Sequence, residues 1–109
     1  MKLLVVGSRS IENFDLSKYI SKEVSLIISG GAKGVDTLAE KYADKHGISK
    51  LILRHNYNLY GKAAPLLRNK LMVEICDSVL IVWDGKSNGT KYTIDYAKKC
   101  GKDFSLVTL

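Results

Sequence analysis

The chain has 109 residues, of which 46% are apolar and 26% are charged, and this composition predicts one domain over residues 1–109 with a sizeable core. With 17 basic and 11 acidic side chains the formal charge is +6, which favours anionic ligands by long-range attraction. The two cysteines lack metal-ligand spacing, so no metal site is expected and both thiols are predicted to be reduced. The apolar stretch at residues 3–6 is too short for a signal peptide, and no stretch is long enough to cross a bilayer. We therefore expect a cytoplasmic protein without a membrane partner.

The first half of the chain contains three predicted strands and two predicted helices. The strands are the runs of β-branched residues and leucines at residues 2–6, 24–28 and 50–54. After the first strand, Asn13 or Asp15 is expected to cap a short helix that carries Leu16, Tyr19 and Ile20. The second helix begins near Gly34 and ends at Gly47. Its i, i+3, i+4 spacing predicts one apolar face, made of Val35, Leu38, Ala39, Tyr42 and Ala43.

The second half of the chain contains two further predicted helices and two further predicted strands. Residues 55–62 are the longest irregular stretch, and Pro65 then fits the first turn of a helix. The predicted apolar face of this helix consists of Leu67, Leu71 and Ile75, with Arg68, Asn69 and Met72 on its flank. The fourth strand spans 79–83, and the turn at 84–90 opens a last helix whose inward side chains are Thr93, Ile94, Ala97 and Cys100. Residues 104–109 are predicted to form the fifth strand.

This uninterrupted alternation of strands and helices, without a hairpin signal, predicts a Rossmann-like α/β fold. We expect a five-stranded parallel sheet in the order 3-2-1-4-5 with helices on both faces. In such a sheet the ligand crevice lies beyond the carboxyl ends of the strands at which the order reverses, here strands 1 and 4. Three turns rich in glycine or small polar residues meet there, at 7–9, 29–36 and 84–90. Tyr57, in the loop after the third strand, is expected to overhang the crevice and either to stack on a base or to anchor its own loop.

The turn at 29–36, Ser-Gly-Gly-Ala-Lys-Gly-Val-Asp, is the strongest binding signal in the chain. It is neither a P-loop, because no Gly-Lys-Ser/Thr occurs, nor Gly-x-Gly-x-x-Gly. Glycine lets a ligand approach the backbone, and the following helix start presents unpaired N–H groups, so a phosphate is the expected ligand. We predict that its oxygens accept hydrogen bonds from the N–H groups of Gly31, Ala32 and Gly34. The remaining oxygens would bind Arg9 or Arg68 and the hydroxyl of Thr90. Taken alone, the turn is also compatible with a strand-to-helix connection that binds nothing.

Five motifs carry a family resemblance: Gly7-Ser8-Arg9, Ser29-Gly30-Gly31-Ala32-x-Gly34-x-Asp36, Tyr60-Gly61-Lys62-Ala63, Arg68-Asn69-x-x-Met72 and Gly85-x-Ser87-x-Gly89-Thr90. Together they cover nearly the whole chain, which resembles the YspA-type branch of the SLOG superfamily. This superfamily joins the DNA-processing protein A (Smf) fold with the lonely-guy phosphoribohydrolases. The resemblance implies a Rossmann-like domain that senses or sequesters a nucleotide or nucleotide-derived signal, such as a mononucleotide or an ADP-ribose-like molecule.

The resemblance also argues against lonely-guy catalysis. Those enzymes carry Pro-Gly-Gly-x-Gly-Thr followed within three residues by a catalytic glutamate, and here Thr93 stands in that place. Arg68 matches their arginine, but it cannot replace the missing carboxylate, and the acids that remain are Asp36 and Asp95. We therefore assign no catalytic residue and no cofactor. A nucleotide N-glycosidic or phosphoester hydrolase and weak binding of single-stranded DNA remain as alternative functions, and homo-oligomerisation stays open.

The candidate ligand-binding residues are Gly7, Ser8, Arg9, Ser29, Gly30, Gly31, Ala32, Gly34, Asp36, Tyr57, Arg68, Asn69, Asp84, Ser87, Gly89 and Thr90.

Overall fold

The computed structural model describes residues 1–54 and 64–109, except for the side chains of 64–66. Five parallel strands form one sheet in the order β3-β2-β1-β4-β5, which confirms the predicted topology. The strands are β1 (Lys2–Gly7), β2 (Leu26–Ser29), β3 (Ser49–Ile52), β4 (Ser78–Trp83) and β5 (Asp103–Thr108). The neighbours of β1 are β2 and β4, so the order reverses between β1 and β4, as expected for the position of the crevice.

Within residues 1–54 and 64–109, three α-helices and one short 3-10 helix connect the strands. They are α1 (Val35–His46), α2 (Ala64–Ile75), α3 (Asn88–Lys99) and the 3-10 helix Leu16–Lys18. Asp15 caps the 3-10 helix, because its Oδ1 accepts a hydrogen bond from the Ser17 N–H at 3.0 Å. No helix among the described residues is long and apolar enough to cross a membrane.

Both faces of the sheet are buried, which explains why its central strands are continuous apolar runs. On one face, α1 and the 3-10 helix pack against side chains of β1, β2 and β4, namely Leu3, Val5, Ile27, Leu80 and Val82. On the other face, α2 and α3 pack against the alternate side chains Leu4, Val6, Ile28, Val79 and Ile81. The predicted apolar face of α1 is confirmed: three of its side chains are buried and the other two pack on the core. The helices therefore lie on both faces of the sheet.

The predicted buried face of α2 is wrong for two of its three residues, whereas Ile75 packs against the core as expected. Leu67 and Leu71 are 43% and 48% exposed, whereas Met72 and Val73 are buried against β1, β2 and β4. Apolar side chains occur on opposite sides of this helix, so their spacing alone does not select the side that faces the sheet. The orientation that buries Met72 also brings Arg68 against the turn after β2.

The prediction for α3 is correct for three of its four inward side chains. Thr93, Ile94 and Ala97 are buried, but Cys100 is exposed. Cys100 is the C-cap residue, where the chain leaves the helix and turns towards β5. The prediction for Tyr57 lies outside the described residues.

Candidate ligand-binding cleft

A cleft of about 300 Å³ lies at the carboxyl end of β1, between the starts of α1 and α3 and the part of α2 that carries Arg68, Asn69 and Met72. Its volume is at the lower end of the range, roughly 300–1,000 Å³, that is typical of small-molecule sites. The described residues that line it are Val6, Gly7, Arg9, Ala32, Asp36, Arg68, Asn69, Met72, Ser87, Gly89, Thr90 and Thr93. Nine of the sixteen predicted ligand residues are among them.

The turn at 29–36 already has hydrogen-bond acceptors for two of the amides that the sequence assigns to a phosphate. The Gly31 N–H donates to Ser29 Oγ at 3.3 Å. The Ala32 N–H donates to Asp36 Oδ2 at 3.1 Å. Ser29 and Asp36 are both buried, so these bonds are part of the interior of the turn. The structure therefore does not present these two amides as open donors.

Two arginines hold the carbonyl groups of the same turn. Arg68, on α2, donates from Nη1 to the Gly30 carbonyl oxygen at 2.8 Å. Arg54, two residues after β3, donates from Nη1 to the Gly31 carbonyl oxygen at 2.9 Å. Sequence reasoning missed Arg54, although its position after the strand next to β2 was a usable signal. The carbonyl groups of Gly30 and Gly31 thus accept hydrogen bonds from two arginines, and the Gly31 N–H donates to a protein oxygen.

Gly34 is required by packing at the start of α1. Its φ is +74°, and a Cβ there would lie 2.4 Å from the Ser8 carbonyl oxygen and 2.6 Å from that of Arg9. The backbone of the turn after β1 therefore closes over the start of the helix, and the Val35 N–H donates to the same Ser8 oxygen at 3.4 Å. Ser8 is itself fully buried, and its Oγ accepts from the Asp84 N–H at 2.9 Å. Ser8 and Gly34 join the three turns and do not line the cleft.

The turn at 84–90 is organised by Asp84, one of the predicted ligand residues. Its carboxylate accepts from the N–H groups of Lys86 at 2.8 Å and Ser87 at 2.9 Å, and from Ser10 Oγ at 2.9 Å. The N–H groups of Lys86 and Ser87, followed by the hydroxyl of Ser10, lower the pKa of Asp84 to about 2. Asp84 does not line the cleft, so its role is to shape the turn.

The start of α3 forms an open wall of the cleft. Ser87 caps this helix, and its Oγ accepts from the Thr90 N–H at 3.5 Å. The N–H groups of Asn88 and Gly89 donate to no described residue, as expected for the first turn of a helix. Apart from its chain neighbours and the backbone of its own helix, no described residue lies within 4 Å of the position that a Cβ on Gly89 would occupy. Gly89 also lines the cleft, so the described residues leave space beside it there.

Two buried polar groups in the cleft wall lack partners among residues 1–54 and 64–109. Asn69 is 9% exposed, and its Oδ1 accepts from Arg68 Nε at 2.9 Å, but its NH2 group donates to no described residue. Thr90 is 6% exposed, and its hydroxyl has no hydrogen-bond partner among these residues either. Buried polar groups are rarely left without a hydrogen bond, so a ligand or ordered water is expected against them.

Among the described residues that line the cleft, the charged side chains are two arginines and one aspartate. Arg9 is exposed and pairs with no described residue, whereas Arg68 is held against Gly30 and Asn69. Asp36 is 6% exposed, and this burial raises its pKa, against the opposing effects of the Ala32 N–H and of Arg68. The described part of the chain holds no group of three His, Cys, Asp or Glu side chains that could bind a metal ion.

Of the two α3 residues that were considered for hydrolysis, one lines the cleft and the other does not. Thr93 lines the cleft, but its hydroxyl donates to the Gly89 carbonyl oxygen at 3.2 Å. Asp95 is exposed, pairs with Lys91 at 2.9 Å and does not line the cleft. Asp36 is therefore the only carboxylate among the described residues that line the cleft.

Comparison with solved structures shows the fold. The chain is similar to the X-ray structure of DNA processing protein A (DprA) from Streptococcus pneumoniae, with a TM-score of 0.73 and 21% sequence identity. The match covers 96% of this chain and 49% of that protein, so the chain spans about half its length. The fold is DprA-like. No protein-family model and no curated protein matches the chain.

Proposed function

We propose that the cleft binds a nucleotide or a nucleotide-derived molecule, such as a mononucleotide or an ADP-ribose-like signal, which the protein senses or sequesters. The observation that carries the proposal is the pair of buried groups without described partners, the Asn69 amide and the Thr90 hydroxyl, in a cleft at the reversal of strand order. The DprA-like fold and the motif residues that line the cleft support membership of the SLOG superfamily, and we place the chain in its YspA-type branch.

The phosphate is placed at the start of α3, not at the turn 29–36. Around Gly89 the described residues leave open space, and the N–H groups of Asn88 and Gly89 donate to none of them. The positive end of the helix dipole lies there as well. Arg9 lines the same cleft and is exposed, so its guanidinium group can form paired hydrogen bonds to phosphate oxygens. On the α2 side, the Asn69 amide and the Asp36 carboxyl are suited to bind sugar hydroxyl groups.

Titration calorimetry with AMP, ADP, ADP-ribose and inorganic phosphate tests this proposal. We expect at least one nucleotide to bind more tightly than phosphate alone. Thr90→Val removes a hydroxyl with little change of shape, and Arg9→Gln removes the cationic group. Each should weaken binding by at least about tenfold, the value of one hydrogen bond to a charged group.

The matched control removes positive charge at a distance from the cleft. Lys98 and Lys99 lie at the end of α3, roughly 12 Å along the helix axis from Thr90. The double substitution Lys98→Ala, Lys99→Ala should leave affinity nearly unchanged at physiological salt, because charges beyond a Debye length are screened. Equal losses in the control and in Arg9→Gln would place the ligand on the general basic surface.

A nucleotide hydrolase is less well supported as the function of this cleft. Asp95 does not line the cleft and pairs with Lys91, and the Asp36 carboxylate accepts a hydrogen bond from the Ala32 N–H. Incubation with nucleoside monophosphates should therefore release no base at a rate comparable to that of a phosphoribohydrolase. Multiple turnovers within minutes, lost in Asp36→Asn, would instead assign an acid–base role to Asp36.

Weak binding of single-stranded DNA is a second candidate function. It is favoured by the formal charge of +6 and by the likeness to a protein named for DNA processing. Because a scattered basic surface binds through counterion release, its affinity should fall steeply as salt rises. Fluorescence anisotropy over a salt series measures this slope, and binding that persists at physiological salt would make this candidate the primary function.

A further inference from the structure

Along one side, the backbone groups of the edge strand β5 pair with no described residue. Six successive residues pair with β4, from Ser78 with Asp103 to Trp83 with Thr108, and no other described strand pairs with β5. The Leu109 N–H donates to the Trp83 carbonyl oxygen at 2.9 Å, and the Asp103 carbonyl oxygen accepts from Ser78 Oγ at 3.1 Å. Because successive residues of a strand direct their N–H and C=O groups to opposite sides, Phe104, Leu106 and Thr108 direct theirs away from β4.

The sequence of β5 lacks the features that usually protect an edge strand. Residues 103–109 contain one charge, at Asp103, and no proline or glycine. Leu106 is 41% exposed and Leu109 is 60% exposed, and no described residue of β5 belongs to the apolar cluster on the α1 side. The opposite edge strand, β3, has only four residues, and its Lys50 forms an ion pair with Asp44 at 3.0 Å. Of the two edges, β5 is the longer one and has fewer of these protective features.

We propose that β5 pairs antiparallel with β5 of a second copy of this chain, so that the two sheets join across a two-fold axis. With Leu106 on the axis, Phe104 lies opposite Thr108 of the second copy, and every outward N–H and C=O group of the strand gains a partner. The two exposed Leu106 side chains then face each other on the α3 side of the joined sheet.

Charge selects this orientation. Antiparallel pairing places the Asp103 of each copy at opposite ends of the strand pair, roughly 20 Å apart, whereas parallel pairing would bring the two carboxylates together. The formal charge of +6 on each copy opposes association, so the dimer should strengthen as salt rises. Each cleft remains complete within one copy, because it lies at the carboxyl end of β1 and contains no residue of β5 among those described. The proposal is thus independent of the proposed nucleotide function.

Sedimentation equilibrium of the 109-residue chain over a wide concentration range tests this interface. We expect a monomer–dimer equilibrium that Leu106→Lys weakens by at least about tenfold, because two lysines would meet on the axis. Leu51→Lys makes the same substitution at a 37% exposed leucine of β3 and should leave the equilibrium unchanged. Nucleotide binding should be the same in both variants.

Amide hydrogen exchange gives a second measurement on the unsubstituted chain. As the dimer forms, exchange should slow at Phe104, Leu106 and Thr108, whereas Ser105 and Val107 are already protected by β4. A monomer at every concentration would overturn the proposal. A dimer that Leu106→Lys does not weaken, or one whose protection appears elsewhere, would overturn it as well.

Discussion

Two turns of this protein have similar compositions but differ in whether their backbone groups are available to a ligand. The turns at 29–36 and 84–90 each join a parallel strand to a helix and contain glycine with small polar residues. In the first, the Gly31 and Ala32 amides and the Gly30 and Gly31 carbonyl groups all bind protein atoms. In the second, no described residue beyond the chain neighbours of Gly89 and the backbone of its own helix lies within 4 Å of the position that a Cβ on Gly89 would occupy. Glycine content alone therefore does not show whether the amides of a turn are open to a ligand.

The neighbours of each turn explain the difference. The turn at 29–36 lies between the end of β3 and α2, and these elements supply Arg54 and Arg68 to its carbonyl groups. The turn at 84–90 is stabilised from within by Asp84, whose carboxylate accepts hydrogen bonds from the N–H groups of Lys86 and Ser87. Both residues precede the start of α3. The first N–H groups of α3 are then left for a ligand. The predictions below test this contrast, from the largest expected effect to the smallest.

Gly34→Ala should produce the largest loss of stability. Its φ of +74° and the 2.4 Å approach to a backbone carbonyl oxygen leave no room for a methyl group, and backbone cannot move aside cheaply. We expect the free energy of unfolding to fall by about 3 kcal/mol or more. Urea unfolding measures it, and a loss below about 1 kcal/mol would show that the turn can rearrange.

Gly89→Ala should leave the fold intact and weaken binding. The added methyl group meets no protein atom and replaces a helical glycine, so stability should be unchanged or higher by up to roughly 1 kcal/mol. In the cleft the same methyl group would occupy the space assigned to the phosphate. We expect nucleotide affinity to fall at least about tenfold, or roughly 1.4 kcal/mol, in calorimetry.

The matched control for this variant is Asn88→Ala, at the exposed neighbouring position. Its affinity should stay close to that of the unsubstituted chain. If Asn88→Ala and Gly89→Ala weaken binding equally, then the start of α3 acts through its overall conformation and the phosphate lies elsewhere.

Asp36→Asn should change how stability depends on pH. Burial raises the pKa of Asp36, so its contribution is fully present below the ordinary value of 3.8 and is lost as pH rises through the higher folded value. The free energy of unfolding of Asp36→Asn should lack this decline. Unfolding curves at a series of pH values above 3.8 measure the difference, and parallel curves for the two proteins would contradict it.

Asp84→Asn should show the opposite effect at lower pH. The N–H groups of Lys86 and Ser87 hold the pKa of Asp84 at about 2, so its contribution is present above the ordinary value of 3.8 and is lost as pH falls towards 2. The variant should lose stability less steeply over this interval. Nucleotide affinity at neutral pH is a further readout, and a loss as large as that of Gly89→Ala would make Asp84 part of the site.

Much of the fold followed from the order of local patterns. The apolar runs identified all five strands to within two residues, and the absence of hairpin signals indicated parallel pairing. Local spacing failed on α2, because Leu67 and Leu71 on one side and Met72 and Val73 on the other are equally apolar. Only the position of the helix against the sheet distinguished the two sides.

For the candidate site, the sequence alone determined which turns meet at the carboxyl ends of the strands, because strand order and chain direction place them there. It also identified Arg9, Asp36, Asn69 and Thr90 among the residues that line the cleft. The tertiary structure alone decided which amides have acceptors within the protein. That outcome depends on contacts between distant elements, such as Arg68 of α2 with Gly30 after β2. Hydrogen-bond partners in a turn are set by what packs against it, and residue type at the turn itself does not encode them.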